Sequence, residues 1–302
     1  MNIENGVLTL STAIKSYAHT DKLISGEIND PLVKLDCVQV EPIHRAFAPM
    51  ARSQAFDVSE MAIVTYLQAK AYNKPLIMLP TVVAARLQQP CLICNEKQKR
   101  IGLDDLRGAR VGVRAYTQTT GMWVRAILAQ TYGVRSEDIN WVTFEGSHLA
   151  EYQDPPSIIH APAGKDMKSM LLAGELDAAI FGNDLPKDEG IVPVIPNPVE
   201  ADRIWYAEHR FVPINHVIVM HRAVAEKNAQ SVKSVYRMFK EGKAYAKLSP
   251  DLPNKLPDGI NALRQPLEMI LDFCNTQQLL PRKLELDEIF EDCMEFLGED
   301  AY

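Results

Sequence analysis

"VGVRAYTQTTGMWVRAILAQTYGV", residues 111–134, decides how the chain is to be read. The segment 110–115, "RVGVRA", reads as a strand. A polar turn follows, and from about Thr117 to Tyr132 the apolar residues recur at helical spacing. A strand that runs through a turn into a helix is the repeating unit of an open α/β sheet, and such sheets bind ligands at the carboxyl ends of their strands. The turn is chemically unusual for this protein. From Leu106 to Ser136 there is no Asp or Glu but five arginines, Arg107, Arg110, Arg114, Arg125 and Arg135, in a chain of formal net charge -7. At a helix start the free backbone N–H groups and the positive end of the helix dipole favour an anion. Arg114 adds a planar two-pronged donor, and Tyr116, Thr117, Gln118, Thr119 and Thr120 add side-chain donors. Capping the helix would need one hydroxyl, whereas five polar residues stand in a row, so the turn is expected to hold a carboxylate or phosphate. Trp123 and Arg125, deeper in the helix, read as packing and surface charge.

Working outward, the first hundred residues alternate extended and helical signals. Residues 7–12, 33–40, 56–61 and 75–80 read as strands, and 44–53 and 62–73 as helices. This β/α order predicts a mainly parallel sheet. A second set starts at the extended "QPCLICNE" and continues through 110–115, the long helix, a strand at 140–144, a helix at 166–175 and the strand "LDAAIFG", until prolines at 193–198 mark a connection. Beyond the extended "FVPINHVIVMH" (211–221) the chain reads as helical. Val232, Val235 and Phe239 share one face, Leu267, Ile270, Leu271 and Cys274 a second on a helix starting at Pro266, and Ile289, Cys293 and Phe296 a third that closes near Gly298. Because single cores stop growing near about 250 to 300 residues, two lobes follow. A discontinuous lobe comprises 1–86 plus 213–302, a continuous one 90–207, and two crossings lie near 87–95 and 208–221.

Composition narrows the partners. An acidic chain with no Lys/Arg run is not built for nucleic acid or an anionic membrane surface. No stretch approaches the roughly 18 apolar residues of a membrane helix, and the first residues carry neither a basic leader nor a sustained apolar run, so a cytoplasmic location is expected. Five cysteines without scaffold density suit a reducing compartment, and Cys91 and Cys94 lie on an extended segment that points them to opposite faces. His44, His148 and His160 lack the paired spacing of metal ligands, and no metal ligand is assigned.

Arranged in this way the chain resembles the type II periplasmic-binding-protein fold and, within it, the family of 4,5-dihydroxyphthalate decarboxylase. The resemblance rests on "YAHTDKLISGEI" (17–28), "HRAFAPMARSQAFDVSEMAI" (44–63), the 111–134 segment, "LLAGELDAAIFG" (171–182) and "YAEHRFVPINHVIVMHR" (206–222). It implies an α/β protein of two lobes, each a mostly parallel sheet flanked by helices, with the ligand cleft between them. The chain departs from the family's pattern at His19, at Gln88–Cys91 and at Asn215.

The expected activity is non-oxidative decarboxylation of a hydroxylated aromatic dicarboxylate, 4,5-dihydroxyphthalate going to protocatechuate. No organic cofactor is expected, and a divalent metal is not excluded. The partner is a small aromatic carboxylate, and a homo-oligomer is compatible with the chain. By position, Lys15, Tyr17 and Ser59 from the first lobe, Arg114 through Thr120 with Asn183 and Asp184 from the second, and Arg86 and His209 from the crossings are expected to bind substrate. His216 and Glu60 are the expected proton carriers, since histidine titrates near working pH and a glutamate in a closed cleft can be raised toward it. The alternatives are a receptor for a small aromatic carboxylate without catalysis, and a relative that performs another reaction on a cyclic carboxylate.

Overall fold

Two six-stranded sheets, assembled by one rule, carry the fold. A computed structural model describes residues 2–4, 6–246 and 255–302, so residues 1, 5 and 247–254 of the expected first lobe lie outside the described residues. In chain order the strands are β1 (Asn2–Glu4), β2 (Val7–Ala13), β3 (Val33–Cys37), β4 (Val58–Ala62), β5 (Leu76–Ala85), β6 (Leu92–Asn95), β7 (Arg110–Val113), β8 (Asn140–Thr143), β9 (Ile159–His160), β10 (Ala178–Ile180), β11 (Ile191–Pro193) and β12 (Ile214–His221). The first sheet runs β3-β2-β4-β12-β5, with β1 also on β2, and the second β11-β6-β10-β7-β8-β9.

The β/α alternation produces the expected parallel pairs β2–β3 and β2–β4 in one sheet and β7–β8, β7–β10 and β8–β9 in the other. The short β1 runs against β2, and each sheet also admits one interior strand that the parallel expectation did not anticipate. β12 runs against β4 and β5, and β6 against β10 and β11. Both are the first strand after the chain changes lobes. A chain that crosses at the cleft enters the new sheet from the carboxyl ends of its strands, and so must run the other way.

Where the segment 75–80 was expected to end at Pro80, β5 continues to Ala85. The pairing jumps from Ile218↔Leu79 to Val217↔Val82, so a bulge takes up Pro80 and Thr81. That bulge accommodates a residue without an N–H inside a sheet, and the Pro80 carbonyl instead accepts from Gly259 N at 2.8 Å.

The long helix of the opening segment spans Thr119–Tyr132, with Gln118 at its N-cap, so Thr117 belongs to the turn. The C-terminal helices are Ala229–Tyr245, Ile260–Thr276 and Leu286–Leu297, and each buries the face expected of it. The first and third pack on β5, whereas Ile260–Thr276 also packs on Thr119–Tyr132 of the other lobe. Pro266 sits inside that helix rather than at its start, at the cost of one intrahelical hydrogen bond.

The helix Pro198–His209 was not foreseen. It has a regular start, Pro at its first position and Glu200 in its first turn. Its apolar pattern, however, is broken. Val199 and Ile204 are 69% and 62% exposed, and only Asp202 and Trp205 are buried. Arg125 also differs from expectation, being 1% exposed rather than a surface charge. It donates to the Tyr116 carbonyl at 2.6 Å and to Gln277 Oε1 at 2.7 Å, and its guanidinium lies 4.2 Å from the Tyr116 ring centroid. Those contacts offset part of its desolvation.

Candidate functional site

Every segment that reaches the space between the lobes leaves the cleft end of a strand. Lys15 and Tyr17 follow β2, the helix at Ile63 follows β4, and Arg86 follows β5. From the second lobe, Arg114 to Thr120 follow β7, His148 follows β8, and Gly182 to Asp184 follow β10. Asn215 and His216 open β12, whose reversed direction brings its first residues to the same place. The sheets therefore position the site as open α/β sheets do. Together these segments line a cavity of about 380 Å³.

Its floor is a hydrogen-bonded cluster centred on a buried carboxylate. Glu60, 0% exposed, sits opposite Ile218 in the β4–β12 pairing, and His216 sits opposite Ala62. Side chains two apart on adjacent strands share a face as diagonal neighbours, and His216 Nδ1 meets Glu60 Oε1 at 2.6 Å. The Tyr17 hydroxyl donates to the same oxygen at 2.8 Å, and Lys15 N donates to Oε2 at 3.1 Å. Burial, and then the Glu60 charge, pushes the Tyr17 phenol well above its ordinary range, so it stays a donor. With Nδ1 directed at Glu60, the remaining ring nitrogen of His216, a cavity-lining residue, is the one left for chemistry.

The other wall is cationic. Arg86 donates to Asn183 Oδ1 and Thr120 Oγ1, and among the described residues it makes no ion pair. Arg114 lies 3.6 Å from Glu145 and donates to His44 Nδ1 at 3.1 Å. The helices Ile63–Ala71 and Thr119–Tyr132 both begin at the cavity, with N-caps Ala62 and Gln118 that provide no side-chain cap. Val64 N, in the first turn of Ile63–Ala71, donates to Thr119 Oγ1 at 3.4 Å, whereas the positive end of Thr119–Tyr132 faces the cavity without a side-chain hydrogen bond at its N-cap. Gln118 Oε1 is buried there without a hydrogen-bond partner.

Most of the residues expected at the site come together. Lys15, Tyr17, Arg86, Arg114, Thr117, Gln118, Thr119, Thr120, Asn183, Asp184 and His216 all line the cavity. Four do not. Glu60 lies beneath the floor and reaches the cavity through His216 and Tyr17. Ser59 is adjacent to Glu60 in a strand, so it points to the opposite face, and its hydroxyl donates to the Glu60 carbonyl at 2.7 Å. Tyr116 is buried beside Arg125. His209 ends the unforeseen helix and lies on Trp205, ring centroids 4.3 Å apart, away from the cavity lining.

The sequence reading missed Glu41, His44, Phe47, Thr65 and His148, whereas Asn215, singled out as a departure from the family's pattern, does line the cavity. Applying the carboxyl-end rule to β3 and β8 would have found the two histidines; they had been weighed only as metal ligands. Among the described residues no group of three or more His, Cys, Asp or Glu is arranged to hold a metal, and no helix is long and apolar enough to cross a membrane.

His44 and His148 tie the lobes together. Arg114 can only donate, so His44 Nδ1 accepts and its proton rides on Nε2. His148 Nδ1 lies 2.8 Å from Thr65 Oγ1 across the cleft. Burial, and then the Arg114 guanidinium, pushes His44 down to about 4 and His148 to about 3. A depressed histidine binds its proton less readily in the folded, closed protein. Its contribution is therefore complete above the ordinary value of 6.5 and is lost as pH falls toward about 4 for His44 and about 3 for His148. The urea midpoint is expected to fall steadily between pH 7 and pH 4.5, and a His44→Asn/His148→Asn double variant should flatten that slope. An identical slope in the double variant would assign the loss to other groups.

No protein-family model matches the chain. It is 27% identical over 262 residues to a 4,5-dihydroxyphthalate decarboxylase of Comamonas testosteroni, covering 79% of this chain and 76% of that one. To a 4,5-dihydroxyphthalate decarboxylase of Pseudomonas putida it is 29% identical over 185 residues, 57% of this chain and 70% of that one. Among solved structures it superposes on the periplasmic aliphatic sulphonate binding protein of Escherichia coli with a TM-score of 0.58 at 13% identity, covering 94% and 92% of the two chains. It superposes on the desulfurization enzyme DSZB with a TM-score of 0.57 at 13% identity, covering 95% and 99%. The chain is a sequence relative of the 4,5-dihydroxyphthalate decarboxylases, built on the two-lobed fold of the periplasmic binding proteins.

Proposed function

We propose that the chain removes CO₂, without oxidation, from a hydroxylated aromatic dicarboxylate held between its lobes, 4,5-dihydroxyphthalate giving protocatechuate. The observation that carries the reading is the His216–Glu60 pair at 2.6 Å on the floor of a cavity whose opposite wall is cationic. A receptor has no need of a buried carboxylate aimed at an imidazole, whereas proton transfer does.

The chemistry asks for three things. One carboxylate must be held, the ring carbon bearing the other must be protonated, and electron density must come from the hydroxyl para to it. Arg86, Arg114 and the start of the helix Thr119–Tyr132 hold the retained carboxylate. His216, charged by a proton on its cavity-facing nitrogen and paired with Glu60, gives that proton to the ring carbon. Gln118 Oε1, buried with no partner, accepts a hydrogen bond from a phenolic O–H. The bond to the departing carboxylate then breaks, its electron pair restores the aromatic ring, and the net change is one proton taken up and one CO₂ released. Closure of the lobes over the ligand excludes water and strengthens each of these interactions.

Incubation of the purified protein with 4,5-dihydroxyphthalate, followed by released CO₂ and ring absorbance, is the test. Appearance of protocatechuate supports the reading. Tight binding of the same compound with no turnover would instead favour a receptor, the role named for the sulphonate-binding protein that shares the fold.

A further inference from the structure

We propose that the carboxylate lost in this reaction is seated against an uncharged wall of Ile43, Phe47 and Ala62, while the retained one takes the guanidinium side. The inference rests on the decarboxylase reading and assigns an orientation to it. A proton donor must approach the ring carbon within about 3 to 3.5 Å, and the departing carboxylate is one bond from that carbon. It therefore lies in the shell around His216, and the neighbours of His216 decide what it meets.

Besides Glu60 and Tyr17 at its Nδ1 side, the neighbours of His216 that line the cavity include an apolar group. Ala62 is the direct cross-strand partner of His216, so its methyl stands beside the imidazole on the same face. Phe47 stands edge-on to His216 with ring centroids 5.1 Å apart, and edge-on to His148 at 5.7 Å. Ile43, Ala46, Phe47, Ala62 and Ala13 form a small buried cluster of their own, separate from the main core. Ile43, Phe47 and Ala62 also line the cavity.

The cations are committed elsewhere. Arg86 is held by Asn183 and Thr120, Arg114 by Glu145 and His44, and Lys15 Nζ is carried over the Tyr17 ring at 5.7 Å. His148, on the far edge of Phe47, is uncharged at neutral pH because burial and Arg114 push it down to about 3.

This division has a chemical use. Cations on the departing group would stabilise the substrate and not CO₂, which leaves uncharged, and so would raise the barrier. Against an apolar wall the carboxylate loses hydration in the ground state and regains favourable contact as CO₂. The same proton count applies as above: the C–H bond forms with the proton of His216, the C–C bond breaks, and its pair stays with the ring.

The test compares two ligands that cannot react by this route because they lack the para hydroxyl. They are phthalate and 2-methylbenzoate, which has a methyl in place of one carboxylate, and their binding to the wild-type protein is measured by calorimetry. 2-Methylbenzoate is expected to bind at least as tightly as phthalate. Phthalate binding the more tightly would show that both carboxylates sit on donors, and would overturn the wall while leaving the decarboxylase reading intact. Failure of both to bind would remove the aromatic-acid reading itself, and the wall with it.

The variant Ile43→Gln places a donor in the wall. It should reverse the ligand order by about 10-fold and lower kcat on 4,5-dihydroxyphthalate by a similar factor without raising KM. An unchanged kcat, or a raised KM at unchanged kcat, counts against the wall.

Discussion

Replacement of His216 by Asn is expected to lower turnover of 4,5-dihydroxyphthalate by about 10³-fold, within the range that positioned acid–base groups contribute, while affinity changes by only a few-fold. Asparagine keeps a donor toward Glu60 Oε1 and a similar volume, so the floor of the cavity survives; what is removed is the titrating nitrogen that faces the ligand. Glu60→Gln is expected to cost about 10²-fold, because it leaves the imidazole in place but replaces the carboxylate that holds its Nδ1 and orients the ring. Its binding should be less well preserved, since Glu60 also accepts from Tyr17 and from Lys15 N. Single-turnover measurements at saturating substrate separate the two effects. A His216→Asn protein that turns over at the wild-type rate would remove the imidazole from the mechanism, and Tyr17 would become the group to examine.

Arg86→Ala is expected to weaken ligand binding by about 10- to 100-fold, the equivalent of one charge-assisted contact of about 1.5 to 3 kcal/mol. The corresponding loss for Arg114→Ala should be about 10-fold or less. The ranking reverses the emphasis suggested by the amino-acid pattern, where Arg114 stands in the signature turn. In the folded protein Arg114 already faces Glu145 at 3.6 Å, so part of its charge is compensated before a ligand arrives. Arg86 is held by the neutral Asn183, Thr120 and Gln88. Its side chain also spans from the first lobe to the second, so truncation removes a contact that favours closure. Calorimetric titration of both variants with phthalate checks the order, and a larger loss at Arg114 would return that residue to the centre of the anion site.

Much of the architecture was legible because it depends on local chemistry. The alternation of β-branched runs with amphipathic helices gave the β/α order and the helical C-terminal region, and the opening strand–turn–helix gave one wall of the cavity. Residues such as Thr117 to Thr120 were found because a strand's carboxyl end followed by a helix start is a property of adjacent residues. Ser59 was misplaced for an equally local reason, since neighbours in a strand cannot both face one cleft. The Pro198–His209 helix was missed because Val199 and Ile204 face solvent while the charged Asp202 shares the buried side with Trp205, and Arg125 was misread because burial of a cation depends on Gln277, distant in the chain.

The amino-acid order by itself determined that the chain alternates strands and helices into two sheets and that an acidic protein carries a locally cationic, hydroxyl-rich turn at a helix start. Only the tertiary structure decided which side chains become partners. The reversal of β12 sets His216 diagonally opposite Glu60, 156 positions earlier in the chain, and the meeting of the lobes gives His44 to Arg114 and His148 to Thr65. The physical reason is that strand and helix signals arise from neighbours along the backbone, whereas proton-transfer geometry and charge compensation arise from atoms within a few ångströms in space, and strand register and lobe closure bring those atoms together.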